Sequence, residues 1–267
     1  MTVLPSPREA AVRFREALAA MGRLSRANWR YAVPGFGPAL AHIFDNPAVL
    51  EGAEAIHRGM PNVVHKLTLP EAVGGYAVVV KRTLGRRQIA HWFYPTSCSR
   101  EAAFYKLCAW IGVPTADFLA VGDSRTGWHW DYSFTVTRFL DGFADGEVVR
   151  DDLRIMFARK AVGYLGSLHR IRLYHRAFKP KNIMWREAGK GDVEIRLIDF
   201  GSCALRPRLC FTQLVVKDLA KFLRGARLKR DEYPELADAY LGANPGAGMS
   251  VPELLRRLDR ELHRRSG

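Results

Sequence analysis

His175-Arg-Ala-Phe-Lys-Pro-Lys-Asn-Ile183, followed by Leu197-Ile-Asp-Phe-Gly201, is the stretch that decides how this 267-residue sequence folds. The first segment is a polar loop behind a long helical pattern in which Leu153, Met156, Phe157, Ala161, Leu165 and Leu168 share one apolar face. The second closes a strand-like run, residues 193–198. Gly189 and Gly191 supply the turn that joins it to another run, residues 183–185. That order places an amide, Asn182, at the entrance of a hairpin and a carboxylate, Asp199, at its exit.

Towards the N-terminus the texture is strand-like over residues 49–81. Tyr76-Ala-Val-Val-Val-Lys81 is the clearest run, after a Gly74-Gly75 turn. A helix is expected from about Ser99, capped by Ser97 or Ser99, with Phe104, Leu107, Cys108 and Ile111 at helical spacing and Gly112 and Pro114 at its end. Glu101 lies on that apolar stripe, where a carboxylate needs a partner, and Lys81 is the candidate. Taken alone, both are ordinary residues, since the helix dipole favours an acid in a first turn. Strands over residues 117–121 and 132–140 follow, and further helices are expected over 214–223 and 252–263, with 242–248 as a flexible connection. The expectation is an α+β, two-lobed protein. Residues 1–48 would form an N-terminal helical extension, with a basic helix over 7–24 broken by Pro34, Gly35, Gly37 and Pro38. Residues 49–141 would form a strand-rich lobe and 142–267 a short helical one.

The loop and hairpin together resemble the catalytic loop and metal-binding motif of the protein kinase superfamily. The loop matches His-Arg-Asp-Leu-Lys-Pro-x-Asn at His175, Arg176, Lys179, Pro180 and Asn182, and departs at Ala177. The resemblance implies an ATP-binding phosphotransferase, a chemistry of alignment and charge neutralisation. Lys81, oriented by Glu101, would hold nucleotide phosphates, Asn182 and Asp199 would hold magnesium, and Lys179 would stabilise charge on the transferred group. By position alone, backbone groups of Arg138 and Leu140 would meet the adenine edge. Asp218 resembles a buried aspartate that braces the loop, with a solvated helix aspartate as a nearly equal reading. The glycine loop is degenerate: only Gly52, Gly59 and Asn62 precede Val63.

No Ala-Pro-Glu follows Gly201. With the short C-terminal lobe, this is similar to the bacterial lipopolysaccharide core (Kdo/heptose) kinase family, with RIO-like kinases as neighbours, over residues 49–224. That family implies an anionic glycolipid or sugar acceptor at the cytoplasmic membrane face. Ala177 stands where the catalytic aspartate is expected and can neither accept nor orient a proton, a loss of ~10²- to 10⁴-fold in rate. An otherwise active kinase disabled at one position, a non-catalytic ATP-binding pseudokinase regulator, a small atypical Ser/Thr protein kinase, and slow transfer without a base all remain open.

Composition agrees with an anionic partner. Lys and Arg number 41 against 27 Asp and Glu, giving +14 spread along the chain. Nucleic acid is the weakest candidate, because no basic-aromatic platform accompanies the charge. Cys98, Cys108, Cys203 and Cys210 have neither zinc-site spacing nor disulfide-scaffold density, and buried reduced thiols are expected. No signal-peptide pattern and no run of ~20 apolar residues is present, so a cytoplasmic protein is expected, with peripheral contact at the inner membrane surface. The basic segment over residues 254–265 reads either as a surface helix or as a contact with anionic lipid.

Overall fold

The computed structural model describes residues 5–22, 30–33, 36–37, 43, 47–59, 62–71, 75–84, 96–126, 129–189, 191–206 and 211–264. Gly74, Pro34, Gly35, Pro38 and Cys210 lie outside them. The chain divides into two compact units, residues 13–107 with 116–140, and residues 1–12 with 108–115 and 141–267.

The first unit is built on a six-stranded antiparallel sheet. Its strands are β1 Arg30–Ala32, β2 Glu54–Gly59, β3 Asn62–Thr68, β4 Ala77–Leu84, β5 Phe118–Thr126 and β6 His129–Arg138, in spatial order β1-β5-β6-β4-β3-β2. The β-branched run of β4 suits a central strand, and its side chains alternate between faces. Val78 and Val80 join Leu119, Ala120, Phe134 and Val136 in one core. Lys81 takes the opposite parity. Helices α1 Pro7–Gly22 and α2 Ser97–Trp110 supply a second core in which Met21, Cys98, Ala102, Ala103 and Val121 pack together. Phe14 stacks on Phe104 at 4.4 Å, so the N-terminal helix is packed on α2. The α2 cap differs from the expected Ser97 or Ser99: Thr96 Oγ1 accepts from Ser99 N at 3.2 Å, because a cap hydroxyl reaches the amide three residues on.

The second unit carries α3 Arg154–Arg170, α4 Phe211–Gly225, α5 Tyr233–Ala243 and α6 Val251–His263. Two small sheets accompany them: β10 Asp192–Leu197, β9 Ile183–Gly189 and β7 Ala144–Asp145 in one, β11 Ala204–Leu205 and β8 Leu173–Tyr174 in the other. Phe157, Ala161, Val162, Leu165 and Leu168 form the buried stripe of α3. The stretch 242–248 is not a loose connection: α5 runs to Ala243, and buried Asn244 donates to the Tyr240 hydroxyl at 2.9 Å. Its glycines suggested flexibility, but burial and hydrogen bonding fix it. Cys98, Cys108 and Cys203 are buried free thiols, and burial pushes the first two upward in pKa. Among the described residues no helix is long and apolar enough to cross a membrane.

Gly166 on α3 sets how closely α5 approaches, since a Cβ there would lie 2.7 Å from Tyr240 O and 2.8 Å from the Ala243 Cβ. Both obstacles are backbone or methyl groups of a helix, which cannot swing aside. Gly166→Ala should therefore lower unfolding stability by ~1–3 kcal/mol, measured by urea denaturation, whereas Gly163→Ala, with open space around it, should not destabilise.

Candidate functional site

In the second unit the loop from His175 to Asn182 is specified almost atom by atom. Two residues, Arg176 (φ 65°) and Asp199 (φ 63°), take the left-handed conformation that side chains disfavour by ~1–2 kcal/mol. Asp218, fully buried on α4, offsets this: its Oδ2 accepts from His175 N at 2.8 Å and Arg176 N at 3.2 Å. Amide bonds to a charged acceptor stabilise by ~1.5–3 kcal/mol each, enough to hold one strained residue. Asp218 is therefore the brace, not a solvated helix residue. Its neighbour His169 Nε2 stands 3.5 Å away and is itself bonded to Tyr240 through Nδ1 at 2.9 Å.

Three successive carbonyls of the loop each receive a side-chain donor. Ser202 Oγ donates to His175 O at 3.0 Å, Lys221 Nζ to Arg176 O, and Asn182 Nδ2 to Ala177 O at 2.8 Å. The sequence reading missed Ser202 and Lys221. Lys221 was legible in part, because three residues after Asp218 it shares that side of α4. Beneath the loop the His175 ring packs on Phe178 and Phe200, with centroids at 5.6 and 5.1 Å. Burial drives the pKa of His175 below the ordinary value, against a partial rise from Asp218 and Asp199, so the ring serves as neutral packing.

Asn182 and Asp199 are brought together, Nδ2 lying 3.4 Å from Asp199 Oδ2. With Nδ2 committed to Ala177 O, the amide oxygen of Asn182 is left to accept, and it accepts from nothing among the described residues. One amide oxygen beside one carboxylate fits a magnesium ion that keeps water and phosphate oxygens in its remaining positions. Lys179 is exposed at the start of the short helix Pro180–Asn182, its ammonium without a partner among the described residues.

The first unit holds the remaining residues. Lys81 Nζ lies 3.0 and 3.3 Å from the two carboxylate oxygens of Glu101, and the carboxylate is nearly inaccessible, 3% exposed. A pair this buried adds little net stability, since desolvating both charges offsets their attraction. The same face of the sheet carries the buried polar residues Thr83, Asp123, Ser133 and Thr135, and the pair holds an oriented ammonium among them. Arg138 N donates to Asp117 O and Phe139 N to Ala77 O, at 2.9 and 3.0 Å. The sheet thus takes the Arg138 amide, and the adenine assignment rests on the Arg138 carbonyl and the Leu140 backbone. The Arg138 side chain is held over Tyr76 at 4.5 Å. β2 and β3 pair in antiparallel register from Glu54↔Lys66 to Gly59↔Asn62, so Gly59 and Asn62 belong to strands and not to an open glycine loop.

The sequence matches the model of the lipopolysaccharide kinase (Kdo/WaaP) family over residues 80–240. The chain belongs to that family. The match begins next to Lys81 and takes in Glu101, the whole loop, the hairpin and Asp218. Among solved structures, one titled WaaP in complex with acyl carrier protein superposes with a TM-score of 0.62 at 18% identity, covering 88% of this chain and 98% of that one. Myotonin-protein kinase of Mus musculus is 33% identical over 109 residues, or 40% of this chain; the chain spans only 15% of that protein's length. The two-lobed kinase-like fold is thereby shown, and this lipopolysaccharide kinase family member has the loop architecture with alanine at position 177.

If Asp218 braces the loop, Asp218→Ala should cost about 3–5 kcal/mol through the buried groups it leaves unpaired. In addition, amide hydrogen exchange at His175 and Arg176 should accelerate well beyond that of α6 under conditions where the variant stays folded. Unchanged exchange at those two amides would show that the loop does not depend on this carboxylate.

Proposed function

We propose that this lipopolysaccharide-kinase family member binds ATP with magnesium and transfers a phosphoryl group to an alcohol of an anionic sugar or glycolipid, at the cytoplasmic face, with its rate held down by Ala177. The observation that carries the reading is the bond from Asn182 Nδ2 to Ala177 O, 2.8 Å, with Asp199 alongside. The loop keeps the backbone course and the metal-type donors that the chemistry needs, and lacks a single carboxylate.

Each residue has a separable task in this reading. Lys81, fixed by Glu101, binds phosphate oxygens as a positioned cation, while Asn182 and Asp199 hold magnesium through their oxygens. Bound there, magnesium-ATP supplies the electrophilic phosphoryl group and neutralises part of its charge. Lys179 offers an unpaired ammonium to charge that develops on the transferred group. Ala177 takes no proton, so the acceptor hydroxyl must lose its proton to solvent. A loose phosphoryl transition state asks little of a base, so transfer is slowed and not abolished.

Ala177→Asp should raise phosphate transfer to a purified lipopolysaccharide core acceptor by ~10²- to 10⁴-fold while leaving magnesium-ATP affinity within about twofold, since the side chains assigned to the nucleotide are untouched. Equal ATP binding with no transfer by either version would favour a non-catalytic regulator. Failure of either version to bind ATP would overturn the proposal.

A further inference from the structure

We infer that a groove of about 380 Å³ between α4 and α6 of the second unit is a phosphate-binding site separate from the nucleotide site. Lys217, Arg257, Arg260 and Arg264 line it together with the amide of Gln213, and one carboxylate, Glu261, is among them. Four cations against one lining carboxylate leave an excess of positive charge at the concavity, which favours an anion there.

Several cations elsewhere in the same unit are neutralised by a nearby acid. Arg150 pairs with Asp152 and Glu187, Arg154 with Asp151, Arg159 with Glu235, Lys160 with Asp192, and both Arg186 and Arg196 with Glu194. In the groove only two of the four cations are neutralised in this way. Arg257 is bound to Glu253 and Arg264 lies 3.6 Å from Glu261. Lys217 has no partner among the described residues, and Arg260 bonds only to the carbonyl of Arg256, at 3.4 Å. The neighbouring concavity on α6, lined by Glu253, Arg256, Arg257, Asp259 and Arg260, contains two acids and lacks this excess.

The groove also connects to the loop. Lys217 and Lys221 are one helical turn apart on α4, so their side chains share a face. Lys221 donates to the carbonyl of Arg176. A basic track therefore runs from α6 along α4 to the residue before Ala177, which suits a ligand that presents phosphate at one end. Insertion of α6 into a bilayer is not implied, because Leu254 and Leu258 are buried in the unit and little apolar face is left over. What α6 offers is guanidinium groups, whose planar forks match phosphate.

Calling that ligand the acceptor rests on the kinase reading; phosphate binding does not, and ATP affinity measured on the same samples tests the former independently. The experiment titrates inorganic phosphate into the full chain at constant ionic strength, with magnesium and a non-hydrolysable ATP analogue present. It compares the natural chain, Lys217→Ala/Arg260→Ala, and a control of equal charge change, Arg8→Ala/Arg15→Ala on α1. Phosphate affinity should fall about tenfold in the groove variant only, with the thermal midpoint in the absence of phosphate unchanged or raised by relief of repulsion. Equal weakening in the control, or no weakening in the groove variant, overturns the inference. A second arm sediments the same proteins with phosphatidylglycerol or phosphatidylcholine vesicles. Groove-dependent binding to phosphatidylglycerol that inorganic phosphate displaces assigns lipid headgroups as the source. Loss of phosphate binding with vesicle binding intact assigns a phosphate carried by a sugar or soluble ligand.

Discussion

The second unit depends on one buried carboxylate. Asp218 accepts two backbone amides from a loop 42 and 43 residues earlier in the chain, and one of those residues is in a conformation that its side chain disfavours. Everything assigned to chemistry in this unit hangs from that loop: the carbonyl that fixes Asn182, the exposed ammonium of Lys179, and the backbone at Ala177. The donors from Ser202 and Lys221 complete the restraint from outside. A loop restrained in this way through backbone groups is insensitive to which side chain occupies position 177, which is why the geometry of the site is intact around an alanine.

That independence separates binding from turnover. In the proposed reading nucleotide and metal affinity belong to Lys81, Glu101, Asn182 and Asp199, and none of these roles uses the side chain at 177. In the same reading proton removal would belong to position 177, where this chain has alanine. The buried Lys81–Glu101 pair makes the same point energetically, for it replaces apolar packing that would be at least as stable. Its presence is understandable when the cation is used, and hard to account for as a device of stability.

The charge of the chain is also organised. In the second unit Arg150, Arg159 and Arg186 are each matched with a nearby acid, whereas at the groove between α4 and α6 Lys217 and Arg260 have no acid partner among the described residues. A net charge of +14 spread evenly would give a diffuse, salt-screened attraction to any anion. Concentrating unpaired cations around a concavity turns part of that attraction into a preference for phosphate.

Much of the site could be read from the sequence, because its signals are local. The helix-loop-hairpin order, the loop residues His175, Arg176, Lys179 and Asn182, Asp199 at the end of a strand, and the anomaly at Ala177 each follow from spacing and residue type over a few positions. The α+β architecture followed from the same patterns, although the short strands β1, β7, β8 and β11 and the helix α5 were not foreseen, since their pairing or packing partners lie far away in the chain. Whether Asp218 was a brace or a surface residue, whether Lys81 met Glu101, whether residues 242–248 were loose, and what the basic C-terminal helix presented were decided only by tertiary structure. The physical reason is common to all four. A polar residue's role is set by its burial and by the partner that satisfies it, and both come from elements brought together by folding.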